Sequence, residues 1–141
     1  MANSNYNNPN YNIKPNANPN QFELGNDELS IYASDVESIK EIKGLQTTLK
    51  NLTIMHCSKL STVKGIENLI ELIELNLSSN KIIDIVDLNF LSKLRILNLS
   101  CNLITSIPNF NRLMSLEILN LSHNRIYDIQ NLKSVYLNLV E

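Results

Sequence analysis

The chain of 141 residues has no tryptophan, three glycines, four prolines and two cysteines, and its formal net charge is only -2. No apolar run approaches the roughly 18 residues needed to span a bilayer. The N-terminus is polar and asparagine-rich where a signal peptide would place an apolar segment. The charge balance exerts no general pull towards nucleic acid or anionic membrane. Glycine-rich phosphate loops, nucleophile elbows, metal-ligand clusters and basic stripes are all missing. These absences leave little room for an enzyme, a cofactor or metal site, a nucleic-acid binder or a membrane protein. One soluble domain is expected, with the cytoplasm as default address and the nucleus or cilium and centrosome as variants.

What is present is a phrase repeated three times. Leu72, Leu75, Leu77, Asn80 and Ile82 recur as Leu94, Leu97, Leu99, Asn102 and Ile104, and again as Leu116, Leu119, Leu121, Asn124 and Ile126, with a period of 22 residues. A fixed period of this kind marks a solenoid whose units each lay one short strand beside the last. The frame extends backwards at lower fidelity to give five units, at residues 26–48, 49–71, 72–93, 94–115 and 116–137. The first is more polar than the others, as an end unit should be.

Residues 1–22 stand apart. Nine asparagines and three prolines fall within the first 21 residues, with Ile13 and Ala17 almost the only aliphatic side chains. Such a segment cannot bury enough apolar surface to offset chain ordering, so a disordered tail is expected there and the solenoid over residues 23–141.

Columns through the five units predict the core. Leu29, Leu52, Leu75, Leu97 and Leu119 form one stack, and Ile31, Ile54, Leu77, Leu99 and Leu121 the next, as inward residues of an alternating strand. Val36, Leu60, Ile82, Ile104 and Ile126 close the turn, and Ile39, Val63, Ile85, Ile107 and Ile129 begin the return path. The return path has an apolar residue every third position, which suits short helical or 3₁₀ turns. Pro108 should make the fourth return path less helical than its neighbours.

Asn80, Asn102 and Asn124 stand where the chain turns away from the strand. An amide there offers both a donor and an acceptor to backbone groups exposed by the turn, so a structural ladder of asparagines is expected. Cys57 and Ser34 take the place in the first two units, so the ladder should thin towards the N-terminus. Cys57 and Cys101 lie two repeats apart, about 10 Å by strand spacing, too far for a disulfide. His56 and His123 lie three apart, about 14 Å, too far to share a metal ion.

The outward strand positions form the candidate contact face: Tyr32, Met55, Glu74, Asn76, Ile96, Asn98, Ile118 and Asn120 carry its more distinctive side chains, with Asn98 expected to point into solvent. Interface hot spots favour aromatic residues and arginine, and Tyr32 is the one aromatic here. Ile96 and Ile118, in consecutive strands, form an apolar patch. The Asn-x-Ser/Thr matches at Asn51, Asn76, Asn98 and Asn120 read as strand residues of the repeat.

In Leu75, Leu77, Asn80, Ile82, Ile85, Leu88 and Leu91, and in the matching columns, the chain resembles leucine-rich repeats of the short 22-residue class. The type member is a regulatory subunit of type-1 protein phosphatase; centrosomal and ciliary proteins and a spliceosomal subunit are similar. The resemblance implies an α/β fold: a right-handed solenoid with a concave parallel β-sheet and short helical or 3₁₀ turns on its convex side. It also implies a non-enzymatic module whose concave face binds a protein, with type-1 phosphatase or a cytoskeletal or ciliary protein as partner classes. A second expectation comes from the chain's end. Too few residues follow Val135 for a sixth strand and return path, so the C-terminal cap is expected to be missing. Self-association through that edge as a homodimer, or a truncated product, is the alternative function.

Overall fold

The computed structural model describes residues 27–131. The expected tail over 1–22 and the expected missing cap lie outside those residues. Between them the chain forms one parallel sheet of five strands in sequence order: β1 (Glu28–Tyr32), β2 (Asn51–Met55), β3 (Glu74–Asn76), β4 (Ile96–Asn98) and β5 (Ile118–Asn120). The register sets Leu29, Leu52, Leu75, Leu97 and Leu119 side by side. This is a parallel-sheet leucine-rich solenoid.

Backbone bonding runs past the short strands. The Leu77 and Ser79 N–H groups donate to Asn98 and Ser100 carbonyls at 2.8 and 2.9 Å, and Leu99 and Cys101 to Asn120 and Ser122 at 2.8 and 3.0 Å. The column of Ser79 and Cys101 also bends the chain away. Ala33, His56, Ser79, Cys101 and His123 all adopt the left-handed conformation, with φ between 49 and 58°. No glycine occupies that column, so each unit accepts a modest backbone cost at its turn.

The return path uses the three-residue apolar period directly. Leu88, Leu91 and Leu94 N–H groups donate to the carbonyls of Ile85, Leu88 and Leu91, and Ile66, Leu69 and Leu72 do the same to Val63, Ile66 and Leu69. Along these two return paths each of those residues is tied to the inward residue before it, which is 3₁₀ bonding. Regular 3₁₀ helix forms at Ile39–Glu41 and Val86–Phe90. The fourth unit has none among the described residues, as Pro108 suggests, yet the second lacks one too. Proline is therefore not what separates helical from non-helical return paths.

A second ladder fixes where each return path begins. Ser38, Thr62, Asp84 and Asp128 accept hydrogen bonds from the N–H two residues on, at 3.0–3.3 Å. Ser106 occupies the same place in the fourth unit, where the residue two on is Pro108 and has no N–H to cap. Bridges between Ser38 and Thr62, Thr62 and Asp84, and Ser106 and Asp128 add a thread of parallel backbone pairing on this side.

The space between sheet and return path is filled by the predicted columns, with Phe110 fully buried in a place held by Ile66 and Leu88 in neighbouring units. Leu119, Leu121 and Ile126 in the fifth unit are only partly buried. Units one and two press together at Gly65, whose φ is +101° and where a Cβ would lie 2.5 Å from the Lys40 backbone nitrogen. Only glycine tolerates both conditions.

Candidate functional site

Two columns of asparagine run through the solenoid, and they do different things. In the turn column, Asn80 Oδ1 accepts from the Cys57 N–H at 2.9 Å, and its Nδ2 donates to the carbonyls of Ile54 and Leu77 at 2.7 and 2.9 Å. Asn102 accepts from Ile82 N–H at 3.0 Å and donates to Leu77 and Leu99 at 2.8 and 3.1 Å. Asn124 accepts from Ile104 and donates to Leu99 and Leu121. Each amide therefore holds a carbonyl of its own unit and one of the unit before. Asn80 meets a different donor because one extra residue stands between Cys57 and Leu60, compared with Asn80 and Ile82. No buried side-chain nitrogen or oxygen among the described residues lacks a partner.

Where asparagine gives way, the ladder weakens. The Cys57 thiol donates to the Met55 carbonyl at 3.5 Å, a long contact beside the amide bonds of Asn80. Burial pushes that thiol up, with a hydrogen bond from the Ser34 backbone pulling the other way. Cys57 is buried and Cys101 exposed, and both are free thiols.

The other column lies on the outward face of the sheet. Asn76, Asn98 and Asn120 are register partners, and each Oδ1 accepts from the N–H of the serine two residues on, at 3.0–3.1 Å. Asn98 thus does not simply point into solvent: half of its amide terminates the strand, and only the Nδ2 side is left for a partner. Asn76 Nδ2 contacts the Met55 sulfur at 3.4 Å.

Register brings the remaining candidates into two clusters. Tyr32 pairs with Met55 at the C-terminal ends of β1 and β2. Glu74, Ile96 and Ile118 line up at the N-terminal ends of β3, β4 and β5, with Ile118 54% exposed. Beside them Arg95 grips Glu117 through two bonds of 2.7 Å. This pairing raises the Arg95 pKa above its ordinary value and lowers that of Glu117. Lys50–Asp27 at 2.7 Å and Lys93–Glu71 at 2.6 Å are the corresponding pairs elsewhere on this edge. The signs are mixed and paired, so this edge presents no field of one sign.

His56 and His123 share the left-handed column, in units two and five. Among the described residues no group of three or more His, Cys, Asp or Glu could hold a metal ion. A recess of about 510 Å³ on the return side has Lys40, Lys64, Glu67 and Asp87 among its lining residues, charges of both signs that favour no ion. No helix among the described residues is long and apolar enough to cross a membrane.

Residues 72–126 match the family model described as leucine rich repeat. Among solved structures, the chain is similar to an internalin (inlF) from Listeria monocytogenes str. 4b F2365, with 22% identity over 77% of this chain and a TM-score of 0.44. The chain spans 45% of the length of that internalin chain. No curated protein matches.

Proposed function

We propose that this leucine-rich repeat chain is a protein-binding module that takes its partner on the outward face of the sheet. The observation that carries the reading is the register. It places Glu74, Ile96 and Ile118 in one row, Asn76, Asn98 and Asn120 in a second, and Tyr32 beside Met55, on a surface presented by five strands whose other side is the core. The isoleucines supply desolvated contact, the outward amides supply donors through Nδ2, and Tyr32 supplies the one aromatic anchor. A scaffold role follows, in the cytoplasm or at the cilium or centrosome. Type-1 phosphatase and cytoskeletal or ciliary proteins are the partner classes the repeat class suggests; the resemblance alone supports them.

Affinity enrichment from lysate tests the face. The wild-type chain retains a partner, and the double variant Ile96→Asp, Ile118→Asp loses it while melting at a similar temperature. Retention by the double variant, with loss on Lys81→Asp in the turn region instead, would move the site off the sheet. A second reading, self-association through the fifth unit, is favoured by a separate observation: the incomplete burial of Leu119, Leu121 and Ile126.

A further inference from the structure

Beyond the sheet, a second run of backbone bonds joins the units. The Lys81 and Ile83 N–H groups donate to the Leu60 and Ser61 carbonyls at 2.9 and 3.2 Å, Leu103 to Ile82 at 2.9 Å, and Arg125 and Tyr127 to Ile104 and Thr105 at 2.9 and 3.1 Å. These stretches lie side by side on the flank where the chain turns from strand to return path. Side chains alternate along them: Ile82 and Ile104 are fully buried, and the residues on either side of each face outward. In units three to five the outward pairs are Lys81 and Ile83, Leu103 and Thr105, and Arg125 and Tyr127. Arginine and tyrosine are enriched among the residues that anchor interfaces. Ile83 is 54% exposed although described units stand on both sides of it. Lys81 and Arg125 belong to none of the ion pairs among the described residues, whereas Lys50, Lys59, Lys93 and Arg95 are all paired. The carboxylates of the same stretches, Asp84 and Asp128, are turned to cap the Val86 and Gln130 N–H groups at 3.0 Å.

We propose that this flank of units three to five is a second docking surface, separate from the sheet face, and that its occupant is an acidic amphipathic α-helix of a partner protein. Charge complementarity and spacing carry the assignment. Lys81 and Arg125 stand two units apart, about 10 Å at the spacing of neighbouring strands, with Leu103 midway. Seven residues of α-helix rise about 10.5 Å, so carboxylates at positions i and i+7 of a helix laid across the units meet both cations. An apolar side chain at i+3 or i+4 then falls on Leu103, and adjoining apolar positions cover Ile83 and Tyr127. An extended peptide presents a side chain to one face only every ~6.8 Å and runs out of step with the units. The backbone bonds hold the row in place before binding, which keeps the ordering cost low. The first unit limits the surface. There the same two places hold Asp35 and Glu37, and Asp35 takes Lys59 at 3.6 Å, so the acidic helix is turned away beyond unit three. An anionic bilayer fits less well, because it is held by clusters of roughly four to eight Lys or Arg side chains. This stretch offers Lys81 and Arg125, with Asp84 and Asp128 three residues from them.

Fluorescence anisotropy with the full chain tests the surface, using two labelled synthetic peptides of one composition at about 0.15 M salt, where distant charges are screened. The first is an alanine-based helix of roughly 20 residues, long enough to form alone, with glutamates at i, i+7 and i+14 and leucines at the i+3 and i+4 places between them. The second has the same residues in scrambled order. The patterned peptide is expected to bind saturably and the scrambled one about tenfold more weakly. Lys81→Asp with Arg125→Asp weakens the patterned peptide by about tenfold or more, and Ile83→Asp by about tenfold. All three positions are exposed, so these variants keep the wild-type melting temperature. Lys43→Asp, the same charge change at an exposed site of the first unit, leaves binding unchanged, as does the sheet-face pair Ile96→Asp, Ile118→Asp. No binding, equal binding of both peptides, or an equal loss with Lys43→Asp overturns the proposal. Loss with the sheet-face pair in place of the flank variants overturns it too and moves the helix onto the sheet. Adherence to phosphatidylserine vesicles that Lys81→Asp with Arg125→Asp abolishes, without peptide binding, assigns the flank to a membrane instead.

Discussion

Asn98 and Asn102 are four residues apart in one unit and belong to different parts of the molecule. Asn102 is 4% exposed and spends its whole amide on backbone groups of two adjacent units. Asn98, half-buried on the sheet face, spends one oxygen on Ser100 of its own unit and keeps its Nδ2 uncommitted. The first is a tie between repeats, the second a local stop for the strand that also lies on the face proposed to bind a partner. One residue type serves architecture and recognition because an amide can split its donor from its acceptor.

Replacing Asn102 by leucine gives the sharpest break. It strips the Ile82 N–H and two carbonyls of their partner inside the wall, and a loss of about 3 kcal/mol is expected in urea denaturation. Asn124→Leu removes the equivalent bonds from a half-buried site where water can replace them, so about 1 kcal/mol is expected. Asn98→Leu should cost still less, under about 1 kcal/mol, since only the turn bond to Ser100 goes. Equal losses for Asn98 and Asn102 would erase the distinction between the columns.

The smallest effect sets exposed charge against buried amide as a way of joining neighbours. The Glu117 carboxyl is held below its ordinary value of 4.5, first by its hydrogen bond from Arg95. The pair therefore adds stability above that value and loses it as pH falls through the lower folded pKa. Comparing wild type with Glu117→Gln between pH 7 and pH 3, the gap in urea midpoint should close at the acid end, while the deficit of Asn102→Leu persists. A gap that widens on acidification would mean the pair is not what Glu117 contributes.

The inward columns and their register were legible in the sequence because each column must fill the same space in every unit, and leucine, isoleucine and valine do so at period 22. Asn80, Asn102 and Asn124 were legible for the same reason: one geometry, one residue type. The left-handed column was not. Ala33, His56, Ser79, Cys101 and His123 share a backbone conformation but no side-chain chemistry, and no glycine advertises it. The capping column of Ser38, Thr62, Asp84, Ser106 and Asp128 left a signal in its small oxygen-bearing side chains, one position before the apolar stack that begins the return path. Phe110 hid because a large ring in the fourth unit takes a place that aliphatic side chains hold elsewhere. On the sheet face, the sequence named the positions that alternate with the inward columns, of which Met55, Asn76, Ile96 and Asn98 are half-buried. It could not say that Asn98 would already be half used, since that depends on the path of the two residues after it.

The reach of each turn asparagine across to the preceding unit has a mechanical side. Stability built from nearest-neighbour ties is lost one neighbour at a time. Drawn out by its ends, the described solenoid should peel from the half-buried fifth unit towards the closed first, each Asn124, Asn102 or Asn80 acting as the latch of one step. Each full step releases a period of 22 residues, roughly 70 Å of extended chain. The force trace is a short sawtooth with that spacing, and removing the latch at Asn102 merges two teeth into one.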